Sequence, residues 1–482
     1  MKVLLVQPGS MHSLGLRGLA QPEPLGLECV GGALKDAHDC RLVDLRVEDT
    51  LHENLRRFQP DVVAVCCSFT TDTYACLEIA EAAKAWDPAA FVVVGGHHAN
   101  QNPEDFSHSC VDVVGMAEGE ITARRLLDAL ARREDIHQVP GLNINTERGQ
   151  IHTGEQPLVR PLDDVAFPDR SLVRDYRAYH FGISKPTASI ETTRGCPFRC
   201  NFCSVWEFYA GKVRFKSPER IVAEIEQLKD IPAIFFTDDL FFINLERSKK
   251  IAQAIIDAGV QRRFIAQIRS DSVIKDLDNI KLWKEAGLQT VFIGFESIDT
   301  RRLDELNKHN TQGNNDRALQ ILNDMGIYVC GSFIVDPSFA EEDFALLRDY
   351  LRSRRINYPS FSVLTPLPGT QLHREKRAEL TTHDYRMYDL FHAVLPTRLP
   401  LEEFYREFAS LYRTAYPRRV KFSWEGTGKV LRSMFKGNIR YMFNMVKMVR
   451  SITDPEFYLE SHRRFGPPLE SEAPAPPHRA AV

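Results

Sequence analysis

Apolar and polar positions alternate along this chain in two separate series. In the first, short β-branched runs stand at Val3–Val6, Arg41–Leu45, Val62–Cys67, Phe91–Val94 and Val111–Val114. Between them, Leu25–Ala37, Leu51–Phe58, Thr73–Trp86 and Glu120–Arg132 carry apolar residues at helical spacing. Continuous apolar strands separated by helices predict a parallel sheet covered on both faces. The second series predicts strands at Ser189–Thr193, Ala233–Thr237, Phe264–Ile268, Thr290–Phe295, Val329–Val335 and Phe361–Thr365. Its helices fall at Pro218–Leu228, Leu245–Ala258, Asn279–Ala286, Asn314–Met325 and Glu341–Arg354. Six strand–helix units suit an open (β/α) barrel, whose working residues gather at the carboxyl ends of the strands.

These patterns divide the chain. Residues 1–133 form an open α/β domain and residues 186–375 a partial barrel. Residues 134–185 are a connector, in which Val139–Asn145 and Gly149–His152 read as a small hairpin. A Pro- and Asp-rich linker, Pro161–Arg170, follows it. No chemistry is assigned to the connector, although Tyr176, Tyr179 and His180 are placed to face an active site. Residues 376–465 are helical and residues 466–482, rich in Pro and Ala, are expected to be disordered. Between Arg418 and Arg450 the helical region carries nine basic residues against Glu425, with Met434, Met442, Met445 and Met448 among them. Such a stretch either caps the barrel with its apolar face or lies on an anionic membrane surface.

Composition narrows the partners. The formal net charge of -4 argues against a mainly nucleic-acid-binding protein. The amino terminus lacks a signal-peptide pattern, and no apolar run approaches the roughly 20 residues that span a bilayer. A cytoplasmic protein, peripheral to the membrane at most, is expected. Seven of the ten cysteines are scattered through apolar segments and read as small core residues.

The other three, Cys196, Cys200 and Cys203, stand at C-x3-C-x2-C spacing after a predicted strand. Soft thiolates suit Fe–S clusters and zinc. A structural zinc closes its tetrahedron with four ligands, and a cubane cluster normally takes four cysteines. Three leave one iron open to a substrate; a purely structural trio or one arm of a zinc site is the alternative. With Phe202 before the last cysteine, this motif resembles the radical S-adenosylmethionine (SAM) superfamily. The resemblance implies a [4Fe-4S] cluster whose open iron chelates SAM, cleaved after one electron arrives from a flavodoxin- or ferredoxin-type reductant.

Further residues extend the resemblance. At the strand ends of the first series stand Ser68 and Thr70, Gly95 and Gly96 with His98, and Glu118-Gly119-Glu120. This set resembles the cobalamin-binding domain joined to one class of radical SAM enzymes, and implies a Rossmann-like, flavodoxin-like fold around the corrin. No G-x-G-x-x-G supports a dinucleotide. The D-x-H-x-x-G that supplies a cobalt ligand in many cobalamin domains is only half matched by Asp36-Ala37-His38, so His38 is read as a surface residue. His97 and His98 are read as hydrogen-bonding groups near the corrin. In the second series Asp238 and Asp239 resemble the segment that meets the SAM amino group. Arg269 offers a fork for the SAM carboxylate. Glu296, in Gly294-Phe295-Glu296-Ser297, resembles the residue that reaches the ribose, with Leu306-Asn307-Lys308 as its companion. The fifth strand departs from the family: Val335-Asp336-Pro337-Ser338 replaces its usual turn.

The resemblance implies a cobalamin-dependent enzyme that methylates an unactivated carbon of a small molecule. Glu23–Glu28, Arg41–Glu48 and Phe391–Pro400 resemble the hopanoid C-3 methylase branch, which implies a lipid substrate. An oxidative cyclase of the anaerobic porphyrin type, and a non-enzymatic cobalamin- or metal-binding regulator, stand as alternatives.

Overall fold

The computed structural model of the chain describes residues 1–9, 20–182, 184–416 and 439–466, with the side chains of all of these but 439–445. Seventeen strands occur among them: β1 (Lys2–Gln7), β2 (Ala20–Gln21), β3 (Asp39–Asp44), β4 (Val62–Cys66), β5 (Phe91–Gly95), β6 (Val113–Gly115), β7 (Leu142–Thr146), β8 (Gly149–His152), β9 (His180–Phe181), β10 (Thr187–Ile190), β11 (Thr193–Arg194), β12 (Arg214–Phe215), β13 (Ala233–Phe236), β14 (Arg263–Ile268), β15 (Leu288–Glu296), β16 (Tyr328–Val335) and β17 (Tyr358–Val363).

The first sheet has the order β3-β1-β4-β5-β6-β7-β8. Its first five strands are parallel, and their order is that of a flavodoxin-like domain, with a topological switch between β1 and β4. Amphipathic helices cover it. In Leu51–Phe58 the buried Leu51, Asn54, Leu55 and Phe58 share one face at helical spacing. The hairpin expected in the connector is part of this sheet: β7 pairs antiparallel with β6, and β8 with β7. The sheet therefore runs past the expected boundary at residue 133, because the exposed edge of β6 offers unpaired backbone groups that the hairpin satisfies.

The second sheet is wholly parallel and sequential, β10-β13-β14-β15-β16-β17. Local signals start and stop its helices. Ser217 caps Pro218–Gln227 by accepting from the Arg220 N–H, with Pro218 in the first turn. Gly287 ends Leu277–Ala286 in the left-handed region, where a Cβ would meet the Arg262 carbonyl oxygen at 2.2 Å. Outward side chains such as Val329, Phe333 and Val335 are buried under the helices, while the alternate positions Cys330, Ser332 and Ile334 face a partly open interior.

The carboxyl-terminal region closes the barrel's free edge. The Tyr412 hydroxyl donates to the Phe361 carbonyl, and the Phe361 N–H donates back to it. Tyr416 donates to the Pro359 carbonyl, and the Val363 N–H to the Leu390 carbonyl. These bonds occupy the outer edge of β17. The helix bearing these tyrosines, Leu401–Ala415, packs in turn on Pro455–Phe465 through stacked Tyr405 and Tyr458. The basic positions from Arg418 to Lys436, and the expected disordered tail from residue 467, lie outside the described residues. In the helix Ile439–Ile452, Met448 and Ile452 pack on the barrel core and Val446 is exposed. Among the described residues no helix is long and apolar enough to cross a membrane.

The connector holds the two sheets together. Arg170 reaches Glu28 at 2.7 Å and the Ser189 carbonyl at 2.8 Å. The Tyr176 hydroxyl donates to Glu28, and Tyr179 donates to Asp44 at 3.1 Å. His180 lies in β9, paired to β2. The tyrosines expected at an active site are therefore joints between the connector and the first domain.

Candidate functional site

β10 leads into the cysteine loop, and Asp238, at the end of β13, holds its start. The Asp238 carboxylate accepts from the N–H groups of Thr192 (2.6 Å) and Thr193 (3.1 Å) and from the Thr192 hydroxyl. Gly195, at φ +98°, then turns the chain where a Cβ would stand 2.1 Å from the Lys212 carbonyl oxygen. Cys196, Cys200 and Cys203 follow.

The loop's far side is tied to the segment after β15. The Asn307 side chain donates to the Arg199 carbonyl at 2.6 Å, and the Asn201 side chain to the Glu305 carbonyl at 2.9 Å. Phe202 packs with Leu306, Leu364 and Leu372. Trp206 donates to the Cys200 carbonyl.

Burial pushes all three thiols up, Cys203 to about 12. Opposing it, backbone N–H groups of Phe198 and Val205 favour the thiolates of Cys196 and Cys203, and the Lys308 and Arg269 charges favour that of Cys200. Donors aimed at sulfur and nearby cations favour the thiolate, the form in which cysteine ligates iron. Among the described residues no three His, Cys, Asp or Glu side chains converge on one ion-sized point.

The acidic residues expected around SAM occupy different situations. Asp238 is fully engaged below the loop, and burial raises it to about 6. Asp239 keeps an exposed surface, yet the surrounding protein desolvates its carboxyl and, with the Asp238 and Glu191 charges, raises it to about 7. Glu296 ends β15 at φ +59°, and Lys308 bonds its Oε1 at 2.6 Å. That carboxylate folds back across Gly294, where a Cβ would lie 2.1 Å from Oε1. The structure thus joins Glu296 to Lys308 of the Leu306-Asn307-Lys308 segment. It departs from expectation at Arg269, whose fork is closed on the carbonyls of Lys308 (2.9 Å) and His309 (2.8 Å).

The loops of the first domain meet this site. Gly95 and Gly115 end adjacent strands, and a Cβ there would find nothing nearer than 3.8 Å and 3.9 Å. Protein packing does not require glycine at either position, and the two adjacent strand ends form a strip free of side chains, the Gly95–Gly115 trough, of the kind a closely approaching ligand needs. Ser68 lies beside it, bonded to Cys66, and Phe69 is 65% exposed. Thr70 and Asp105 engage the two ring nitrogens of buried His98 at 3.2 Å and 3.0 Å, so neither is free for cobalt. Gly96, at φ +109°, makes a turn against the Cys67 carbonyl. Gly119 lets its helix approach Val30, a packing role. His38 is buried, not a surface residue. It bonds Asp128 at 3.2 Å and precedes β3, at the sheet's opposite end.

Glu118 and Glu120 also differ from expectation. They are buried in ion pairs with Arg194, and Glu118 pairs with Arg214 as well. Sequence reasoning passed over Arg194, Arg214 and the His97 contact with Ser204 (2.7 Å). The available signal was an arginine beside a cysteine motif and two glutamates at i and i+2, but 74 to 96 residues separate the partners.

Comparison with known proteins agrees with this architecture. The radical SAM superfamily model matches residues 190–351 and the B12 binding domain model residues 11–127. The hopanoid C-3 methylase of Methylococcus capsulatus is 35% identical over 477 residues, covering 96% of this chain and 90% of that protein. The cobalamin-dependent S-adenosylmethionine radical enzyme OxsB shares the fold with a TM-score of 0.68 at 18% identity, over 96% of this chain and 75% of that one. The radical S-adenosylmethionine methyltransferase TsrM from Kitasatospora setae does so at 0.67 and 18% identity, over 86% and 89%. The chain belongs to the cobalamin-dependent radical SAM methyltransferase family.

Proposed function

We propose that this enzyme methylates an unactivated carbon of a hopanoid-type triterpenoid, at C-3. The observation that carries the substrate is the 35% identity to a hopanoid C-3 methylase across nearly the whole of both chains. In this reading Cys196, Cys200 and Cys203 hold a [4Fe-4S] cluster, and the Gly95–Gly115 trough with Ser68, Phe69 and Thr70 receives cobalamin. When bound, these cofactors and SAM supply hydrogen-atom abstraction and a methyl group, which an unactivated C–H bond demands because no protein base can ionise it.

The chain's own residues position and exclude. Ionised Asp239 accepts from the SAM ammonium, and Glu296, fixed by Lys308, from a ribose hydroxyl. Asp238 and Arg269 hold the cysteine loop rather than touch SAM. Half-buried Phe208, stacked on His97, and Tyr209 wall the space between the two loop sets from solvent. A flavodoxin- or ferredoxin-type protein delivers the electron. The enzyme works in the cytoplasm, peripheral to the membrane that holds its substrate.

The test is anaerobic reconstitution followed by incubation with a diploptene-type hopanoid, SAM and reductant. The expected products are a methylated hopanoid, 5'-deoxyadenosine and S-adenosylhomocysteine. SAM cleavage without methylated lipid overturns the substrate. 5'-Deoxyadenosine without S-adenosylhomocysteine points to oxidative cyclisation instead.

A further inference from the structure

The cysteine loop is gripped at both ends by the two loops that border the Gly95–Gly115 trough. At its start, Arg194 stands two residues before Cys196. Its Nη1 bonds Glu118 Oε1 at 2.6 Å, its Nη2 bonds Glu120, and its Nε bonds Glu191 at 2.8 Å. Arg214, opposite Arg194 in the β11–β12 ribbon, takes the other Glu118 oxygen at 2.8 Å and the Val159 carbonyl at 3.0 Å. Arg194, Arg214, Glu118 and Glu120 are all buried. At its end, Ser204 follows Cys203, and its hydroxyl meets His97 Nε2 at 2.7 Å.

We propose that Arg194, Glu118 and the His97–Ser204 pair are positioning residues that fix the separation and tilt between the corrin-binding loops and the cluster loop. Adhesion alone does not explain the arrangement. Desolvating several charges costs about what their attraction returns, and an apolar seam of equal area would hold the domains as firmly. A guanidinium forked onto separate carboxylates adds direction, which an apolar seam lacks. The chemistry needs that direction. The carbon must face the hydrogen-abstracting group on one side and the methyl donor on the other, and a misplacement of about 1 Å can cost roughly 10²-fold. Bracketing the loop on both flanks of the cysteines removes the hinge freedom that one contact would leave. The proposal depends on the family assignment and holds for any substrate.

The experiment uses the full-length holoenzyme and two variants. Arg194→Lys keeps the charge and loses the fork. Ser204→Ala removes one hydroxyl at the other end, and it decides the question should Arg194→Lys not fold. Iron and cobalamin per chain are counted, and the magnetic interaction between Co(II) and the reduced cluster is read by electron paramagnetic resonance without substrate. Loading equal to wild type with a shifted and broadened dipolar interaction is expected, larger for Arg194→Lys. Methyl transferred per SAM cleaved falls in the same order. Full loading with an unchanged dipolar interaction in the folded variants overturns the proposal. So does a loss of cofactor with normal coupling in the fraction that stays loaded.

Discussion

The Arg269 guanidinium carbon lies 3.9 Å from the centre of the Phe198 ring, between the first two cysteines of the loop. Its fork holds the carbonyls of Lys308 and His309, so one side chain stacks on the cysteine loop and fixes the segment carrying the Glu296 partner. Lysine cannot reproduce a planar fork and a stack together. Arg269→Lys should therefore loosen the loop, by about 2 kcal/mol for each charged hydrogen bond lost. Release of iron to a chelator should accelerate, while Arg269→Gln should behave no better. Iron release at the wild-type rate would show that the stack holds nothing.

Gly294 tests the second half of the same joint. An added Cβ meets Glu296 Oε1 at 2.1 Å and Lys308 Nζ at 3.0 Å. Glu296 also stands in the left-handed region, a strained conformation that persists where its surroundings enforce it. Gly294→Ala should displace the Glu296–Lys308 pair at a cost of about 1–3 kcal/mol. The expected kinetic signature is a raised KM for SAM with a smaller change in kcat, measured by 5'-deoxyadenosine release.

The proposed contact of Asp239 with the SAM ammonium predicts a pH dependence of SAM binding. Desolvation by the surrounding protein, with the Asp238 and Glu191 charges, raises its carboxyl to about 7. It is ionised above that pH and protonated below it, and the ammonium of SAM favours the ionised form. SAM affinity should thus be steady at pH 8 and fall by roughly tenfold per unit below about pH 7. Equilibrium dialysis of the cluster-loaded enzyme across pH 5.5–8.5 measures this. Asp239→Asn should bind weakly and without that slope; a wild-type profile flat through pH 7 would remove Asp239 from the SAM site.

These sites differ in how far the sequence disclosed them. Strand and helix limits fall within a few residues of expectation because burial sets their periods, as in Leu51–Phe58. The C-x3-C-x2-C motif, inside the matched radical SAM residues 190–351, is legible because its chemistry depends on local spacing. The polar residues around it are not, since a buried carboxylate reads alike whether it meets a ligand or an arginine. Glu118 met Arg194, His98 met Thr70 and Asp105, and Asp238 met the Thr192 backbone. The stretches that resemble the hopanoid branch are structural seams. Glu28 holds Arg170, Asp44 holds Arg46, and the Ala393 N–H donates to the Tyr405 hydroxyl.

The Gly95–Gly115 trough separates a ligand's demand from a packing demand. Gly95→Ala and Gly115→Ala add a Cβ whose nearest contacts are 3.8 Å and 3.9 Å, ordinary van der Waals distances. Neither glycine has positive φ. Alanine there should leave the apo-chain as stable as wild type or firmer by about 0.4–1 kcal/mol, because the unfolded chain loses freedom. Gly95→Val, whose larger branch fills the trough beside Phe69, should keep the fold while sharply lowering cobalamin per chain after reconstitution. Iron content and SAM binding should stay at wild-type levels, since the cysteine loop is untouched. Gly96→Ala is the contrasting case: at φ +109°, with a Cβ 2.6 Å from the Cys67 carbonyl oxygen, it should lower stability itself. Full cobalamin content in Gly95→Val would place the corrin away from the ends of β5 and β6.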